Sequence, residues 1–349
     1  MGVAILAAAY LALVPTGRYL LRAGWEEAKI LWNRRPISEM IADTTVAPLT
    51  RQKLQLVLDA RAYARDSLDL DVGESFATFS QLERDTLVLV LSAAYRDRLR
   101  YHRWWFPLVG RVPYKGWFDF EEARRQERDF QRRGFDTYLR PASAFSTLGW
   151  LPDPLVSTTL RADTLSLANT VIHELLHNSF YASGQAEFNE SFANFVGARG
   201  SAAFFASRGQ PRAVAHAEAR WSDEKTMAAF WKRLYNDVDS VFRAHPGDSL
   251  VARRLALRDS VYRAAREQLI FRVGPQLRTM APTYVERIRL DNAALMSRRI
   301  YLTDVALFDS VYAREGRDIR KATWRIIELA RAGKDNPYDA VRRWLSAPR

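Results

Sequence analysis

Apolar residues in this chain recur mostly every three or four positions, the spacing of helices that bury one face. The period holds over Gly24–Asn33, Leu49–Ser67 and Leu82–Tyr101, which predicts three helices. The texture then changes. Pro113–Phe120 is short and aromatic, a strand candidate; Glu121–Arg133 is a charged helix ended by Gly134; and Thr137–Thr147 alternates as a second strand would. Pro152 and Pro154 interrupt the chain before Leu155–Leu160. An apolar helix through His173–His177 follows. Tyr181-Ala182-Ser183-Gly184 should stop it, and Asn189 should cap a second helix running to about Arg199 before Gly200. Beyond that the helical period continues through Pro211–Ala244, Ser249–Arg278, Tyr284–Ser297, Asp304–Arg314 and Ile319–Ala332, punctuated by Gly247, Pro282, Gly316 and Gly333. The expected class is mainly α with a small β-sheet. Three segments are expected: residues 1–23, a catalytic region 24–205 and a helical lobe 206–349.

The first segment holds an apolar run, Val3–Val14, followed by Arg18 and Arg22. It is long enough for the apolar part of an export signal and short for a membrane span. Export or membrane anchoring through this segment is the favoured expectation, with a first core helix as the alternative. The favoured compartment is a cell envelope, the alternative the cytoplasm.

Composition narrows the function classes. With 349 residues, 48% hydrophobic and 12% aromatic, the chain can bury one large core or two fused ones. Cysteine is absent, which removes disulfides, thiol catalysis and cysteine metal sites. The formal charge of +12 invites a nucleic-acid reading. Lysine, however, stands only at positions 29, 53, 115, 225, 232, 321 and 334, and the arginines are interleaved with acids along nearly every predicted helix. Such dispersion fits no nucleic-acid groove.

The chemistry concentrates in His173-Glu174-Leu175-Leu176-His177 and Asn189-Glu190-Ser191-Phe192-Ala193. Residues four apart on a helix lie about 40° apart around its axis and roughly 6 Å along it, so both imidazoles can meet one ion. Glu174 points aside, where a general base for a bound water belongs. A catalytic zinc ordinarily has three protein ligands, and Glu190 on the next helix is the candidate third. Glu190, Ala193, Asn194 and Gly197 share a face that is small apart from its carboxylate and amide, which lets two backbones approach closely.

HELLH followed by FNESFAN resembles the glutamate-type zincins. The short gap between the two halves, with Ala144-Phe145-Ser146-Thr147-Leu148-Gly149-Trp150-Leu151-Pro152-Asp153-Pro154-Leu155-Val156-Ser157-Thr158, resembles more closely a bacterial family of zinc aminopeptidases. The likeness runs from about Gly17 to the C-terminus. It implies a zincin-like metallopeptidase of two lobes around a cleft, with one Zn²⁺ per chain and a peptide substrate. By that likeness His173, His177 and Glu190 are the ligands and Glu174 the base. The Gly-x-Met-Glu-Asn amine-binding segment of the well-known aminopeptidases is absent, so an endopeptidase is the alternative, and a non-catalytic envelope protein with a structural zinc a more distant one. Asn194 stands where many relatives carry an aspartate that orients a ligand histidine.

Other candidates are less sharply placed. Tyr181 lies on the metal face, four residues beyond His177; Tyr284 and Tyr301 are candidate oxyanion donors; Glu187, Asp153 and Asp163 are candidate partners for a substrate ammonium. His102, among Tyr101, Arg103, Trp104 and Trp105, is expected to pack into the core at a helix end. His216 and His245 are expected to be solvated.

Overall fold

The computed structural model describes residues 14–86, 88–106, 110–142 and 153–348. The apolar run up to Leu13, most of the Ala144–Thr158 motif and the far end of the expected Thr137–Thr147 strand lie outside them. The class is α+β and mainly helical, with small sheets. The chain divides into two compact units, residues 1–51, 74–95 and 100–161 forming the first and 52–73, 96–99 and 162–349 the second. The second therefore joins residues on both sides of position 205.

All eight strands among the described residues belong to the first unit. Helix α1 (Pro15–Trp32) leads to β1 (Arg34–Pro36). Helix α2 (Pro48–Asp66) then carries the chain into the second unit, and β2 (Thr78–Ser80) lies back in the first. The remaining strands are β3 (Val88–Tyr95), β4 (Trp104–Phe106), β5 (Gly110–Val112), β6 (Tyr114–Trp117), β7 (Phe135–Ala142) and β8 (Leu155–Val156), with helix α3 (Phe120–Arg132) before β7. One sheet runs β6-β3-β7, antiparallel throughout, and a second runs β1-β2-β8.

The helix expected over Leu82–Tyr101 is not formed. Val88–Tyr95 is the central strand of its sheet, with Leu89 opposite both Trp117 and Pro141. A continuous apolar run does not distinguish a buried helix from a strand covered on both faces. Val88 and Val90 pack with Ile30, Phe118 and Val156 on one side, and Leu91 and Ala93 with Phe130 on the other. Two unlike faces, both apolar, are what strand alternation produces when both are covered. The Leu155–Leu160 stretch is likewise split, into β8 and a single helical turn at Ser157–Leu160. His102 packs into the core as expected, its ring 4.8 Å from both Trp104 and Phe130, although no helix ends there. Burial and the nearby Arg133 hold its pKa below the usual imidazole value.

The second unit is a helical assembly: α4 (Thr164–Ser179), α5 (Ala186–Ser207), α6 (Pro211–Ala244), α7 (Val251–Gln268), α8 (Asn292–Leu302), α9 (Val305–Arg314), α10 (Ile319–Ala332) and α11 (Pro337–Ser346). The helix expected over Tyr284–Ser297 is two, because the Asp291 carboxylate accepts from the Ala294 amide and caps a new start. A core around Phe230, Trp231, Leu234, Tyr262, Leu269 and Leu295 holds α6, α7 and α8 together. Each such side chain, fully buried, contributes about 1.5–3 kcal/mol.

Candidate metal centre

Helix α4 begins where Asp163 accepts from the amide of Ser166 at 2.8 Å and from its hydroxyl at 2.7 Å. That carboxylate is spent as a cap. Leu167, Ala168, Val171, Ile172, Leu175 and Leu176 are all buried, which fixes the roll of the helix and directs His173 and His177 together. Their rings stand 5.1 Å apart and nearly perpendicular.

Helix α5 differs from expectation at both ends. It begins at Ala186 and continues through Gly200 to Ser207. Asn189 does not cap it. Buried inside the first turns, its side-chain oxygen accepts from the Ala182 amide at 2.9 Å and its nitrogen donates to the Ala182 carbonyl at 2.8 Å. The amide thereby ties the connecting loop, which turns at Gly184 with φ +74°, to the helix that carries Glu190. Glu190 lies in the second turn rather than the first.

Two glycines set the separation of α4 and α5. A Cβ at Gly197 would lie 2.9 Å from the Asn169 carbonyl oxygen and 3.1 Å from the His173 Cβ; one at Gly200 would lie 3.0 Å from the Ile172 Cγ2. At Gly197 only hydrogen fits, because the nearest atom is backbone. The opposite side of α5 is aromatic, with Phe188, Phe192 and Phe195 packed against Phe308. That side holds the helix in place while the small side admits α4.

The result is a convergence of three side chains. Glu190 Oε2 lies 3.6 Å from His173 Nε2, and Glu190 Oε1 lies 3.6 Å from His177 Nε2. All three ligand atoms fall within 4.8 Å of one another. A separation of 3.6 Å is too long for a hydrogen bond. It is near the roughly 3.4 Å edge of a tetrahedron whose ligands lie about 2.1 Å from a central ion. Among the described residues the buried His177 Nδ1 has no hydrogen-bond partner.

Electrostatics suit a cation. Burial, and secondarily the charge of His173, push the His177 pKa down to about 4, which leaves a neutral ring with a free lone pair at neutral pH. Burial also opposes protonation of His173, but Glu190, Glu174 and the hydrogen bond to Asn194 together outweigh it, and its pKa is raised. Of the two rings, His173 is therefore the one a proton occupies first.

Asn194 does touch His173. Its Nδ2 donates to the Tyr301 carbonyl at 2.6 Å, which directs the amide oxygen elsewhere. Tyr301 thus contributes a backbone carbonyl, and beside it the Ser191 hydroxyl accepts from the Thr303 amide at 2.9 Å, docking the end of α8 on α5. Tyr181 is 55% exposed, with its ring 6.4 Å from that of His177. Tyr284 is half-exposed on the short helix Pro282–Arg287. The Glu187 carboxylate faces Arg299 and Thr303 at 3.5 and 3.4 Å. Asp153 belongs to the first unit, where burial and the Asp153 charge together push Glu27 up to about 7. Of the sequence candidates, then, His173, His177 and Glu190 converge, with Asn194 behind them.

Glu224, on α6, was not foreseen. It is close enough to feel the charge of His173, lies 3.7 Å from Arg220, and burial raises its pKa. In sequence it belongs to an ordinary i, i+4 charged pair, which marks a solvated helix face far more often than a site.

Two imidazoles and a carboxylate on adjoining helices make this a three-ligand centre that could hold a metal ion. The chain belongs to the family described as "Putative aminopeptidase", whose model matches residues 18–340. No curated protein and no solved structure matches it.

Proposed function

We propose that the chain is a zinc-dependent peptidase of the glutamate-type zincin kind, and an aminopeptidase in particular. The observation that carries this is the convergence of His173, His177 and Glu190 at separations that fit a small tetrahedral ion. Family membership supports peptide hydrolysis. Bound by these three residues, zinc would polarise the scissile carbonyl and acidify a water.

The chain's own groups do the rest. Glu174, adjacent to His173 on α4, accepts the proton of the attacking water on its carboxylate and delivers it to the departing amine nitrogen. Asn194 orients His173 through a neutral amide held by the Tyr301 carbonyl. Tyr181, Tyr284 and Tyr301 are the phenol candidates for donating to the oxyanion, and proximity to His177 favours Tyr181. A peptide is the proposed substrate, and the dispersal of the arginines argues against nucleic acid as a partner. The bacterial envelope is the proposed location, supported by the Val3–Val14 run; among the described residues no helix is long and apolar enough to cross a membrane.

The test is Glu174→Gln. It should retain about one zinc per chain by elemental analysis and lose on the order of a hundred- to ten-thousandfold in turnover. Turnover near the unsubstituted level would remove Glu174 from this role. Cleavage of one peptide with a free and with an acetylated amino end decides the finer reading. Faster cleavage of the free form is expected of an aminopeptidase, and equal rates would leave an endopeptidase.

A further inference from the structure

Helix α1 is apolar on two opposite sides, and only one of them is covered. Tyr19, Ala23, Glu26 and Ile30 recur at i, i+4, i+7 and i+11 and face inward: Ala23 and Ile30 join the core of Val88, Val90, Phe118 and Val156, while the Tyr19 ring lies 5.4 Å from Phe106. Leu21, Trp25, Ala28 and Trp32 repeat the same spacing on the other side, within an arc of about 60°. They are exposed: Leu21 by 50%, Trp25 by 61% and Trp32 by 88%. Two tryptophans and a leucine so exposed present on the order of 500 Å² of apolar surface, a patch of the size that marks an interaction site.

Charge says what the patch meets. Arg18, Arg22 and Lys29 line one flank of the stripe, with the Arg22 and Lys29 side chains 54% and 37% exposed. The acids of the helix turn away. Glu26 is buried and paired with Arg22 and Lys29, and Glu27 is half-buried near Asp153. Tryptophan and long cationic side chains together suit the boundary of a bilayer, where the rings sit at headgroup depth and the cations reach phosphates. The chain that enters α1 is the apolar Val3–Val14 run, so a second apolar element is covalently continuous with the stripe. The area is also small against the roughly 800 Å² per partner of a stable protein interface.

We infer that α1 is an interfacial helix: its Leu21/Trp25/Ala28/Trp32 stripe lies in the surface of an anionic phospholipid bilayer, with Arg18, Arg22 and Lys29 on headgroup phosphates. It adds a docking surface to the first unit and does not depend on the peptidase reading.

The experiment uses the purified full chain and two vesicle preparations, phosphatidylcholine alone and phosphatidylcholine with one third phosphatidylglycerol. Co-sedimentation should favour the anionic vesicles. Trp25→Glu with Trp32→Glu should lower partitioning at least tenfold while leaving the far-ultraviolet circular dichroism unchanged. Trp25→Phe with Trp32→Phe, which keeps the stripe apolar, should still bind but lose the portion of tryptophan fluorescence quenched by brominated lipid. Undiminished binding of the glutamate variant would overturn the inference and leave the Val3–Val14 run as the sole anchor. So would quenching that persists unchanged in the phenylalanine variant, or light scattering that shows the stripe buried in a dimer of this chain.

Discussion

Gly197→Ala tests the idea that helix separation sets the metal centre. The added Cβ would stand 2.9 Å from the Asn169 carbonyl oxygen, 3.0 Å from the Asn169 Oδ1 and 3.1 Å from the His173 Cβ. Two of those three atoms cannot swing aside, being backbone or attached directly to it. Relief to an ordinary contact needs α4 and α5 to part by about 0.5 Å, whereas metal-ligand distances tolerate about 0.2 Å. His173 rides on α4 and Glu190 on α5, so the parting falls directly on the 3.6 Å separation between them. Metal affinity should drop tenfold or more, the range seen when a ligand's support is lost. Stability should change less: overpacking costs about 1–3 kcal/mol, and alanine regains about 1 kcal/mol over glycine within a helix. Gly200→Ala is the milder comparison, because its new Cβ meets the Ile172 Cγ2 and Leu68 Cδ1, side-chain atoms rather than backbone. It should change affinity by no more than about twofold. Competition against a chromophoric chelator measures both variants. Wild-type affinity in Gly197→Ala would refute the argument.

Removing a ligand should be blunter. His177→Ala and Glu190→Ala should each purify with less than about a tenth of the wild-type metal, since either leaves two ligands; full metal content in either would remove that residue from the centre. Acid should weaken binding as well. The raised pKa of His173 means that a proton competes for it first as pH falls, costing about tenfold in affinity per unit, while His177, held near 4, stays neutral until much lower pH. A flat affinity between about pH 8 and pH 5 would contradict this assignment of protons. Away from the centre, the Asp309 carboxylate accepts from Arg199 Nη2 at 2.8 Å, Lys225 Nζ at 2.6 Å and Trp221 Nε1 at 3.0 Å. Burial pushes its pKa up, but the two cations outweigh burial and hold it below the usual carboxylate range. Asp309→Ala takes the acceptor from Lys225 Nζ and from the buried Trp221 Nε1, while Arg199 keeps Glu218, and should cost about 1–3 kcal/mol in urea unfolding; a loss under about 0.5 kcal/mol would show that the network is not a stabilising one.

What the sequence determined by itself is local. His173 and His177 share a face because four residues make roughly one helical turn, and no tertiary contact is needed to know it. The small face of Ala193, Asn194 and Gly197 was legible for the same reason, and the structure places Gly197 where α4 and α5 touch. The mainly helical class followed from a period repeated over most of the chain. Tertiary structure decided what local rules leave degenerate. Val88–Tyr95 became a strand because two neighbouring strands and two apolar layers were available to satisfy it. Gly200 continued α5 instead of ending it, since burial against Ile172 and Leu68 outweighs the glycine's conformational cost. Asn189, a cap by its type, ties a loop because Ala182 lies within its reach. Glu224 and the Tyr301 carbonyl lie 51 and more residues from His173 along the chain, and only packing of α6 and α8 brings them near it. Spacing along one helix is a property of the backbone, whereas proximity between helices depends on every side chain that holds them.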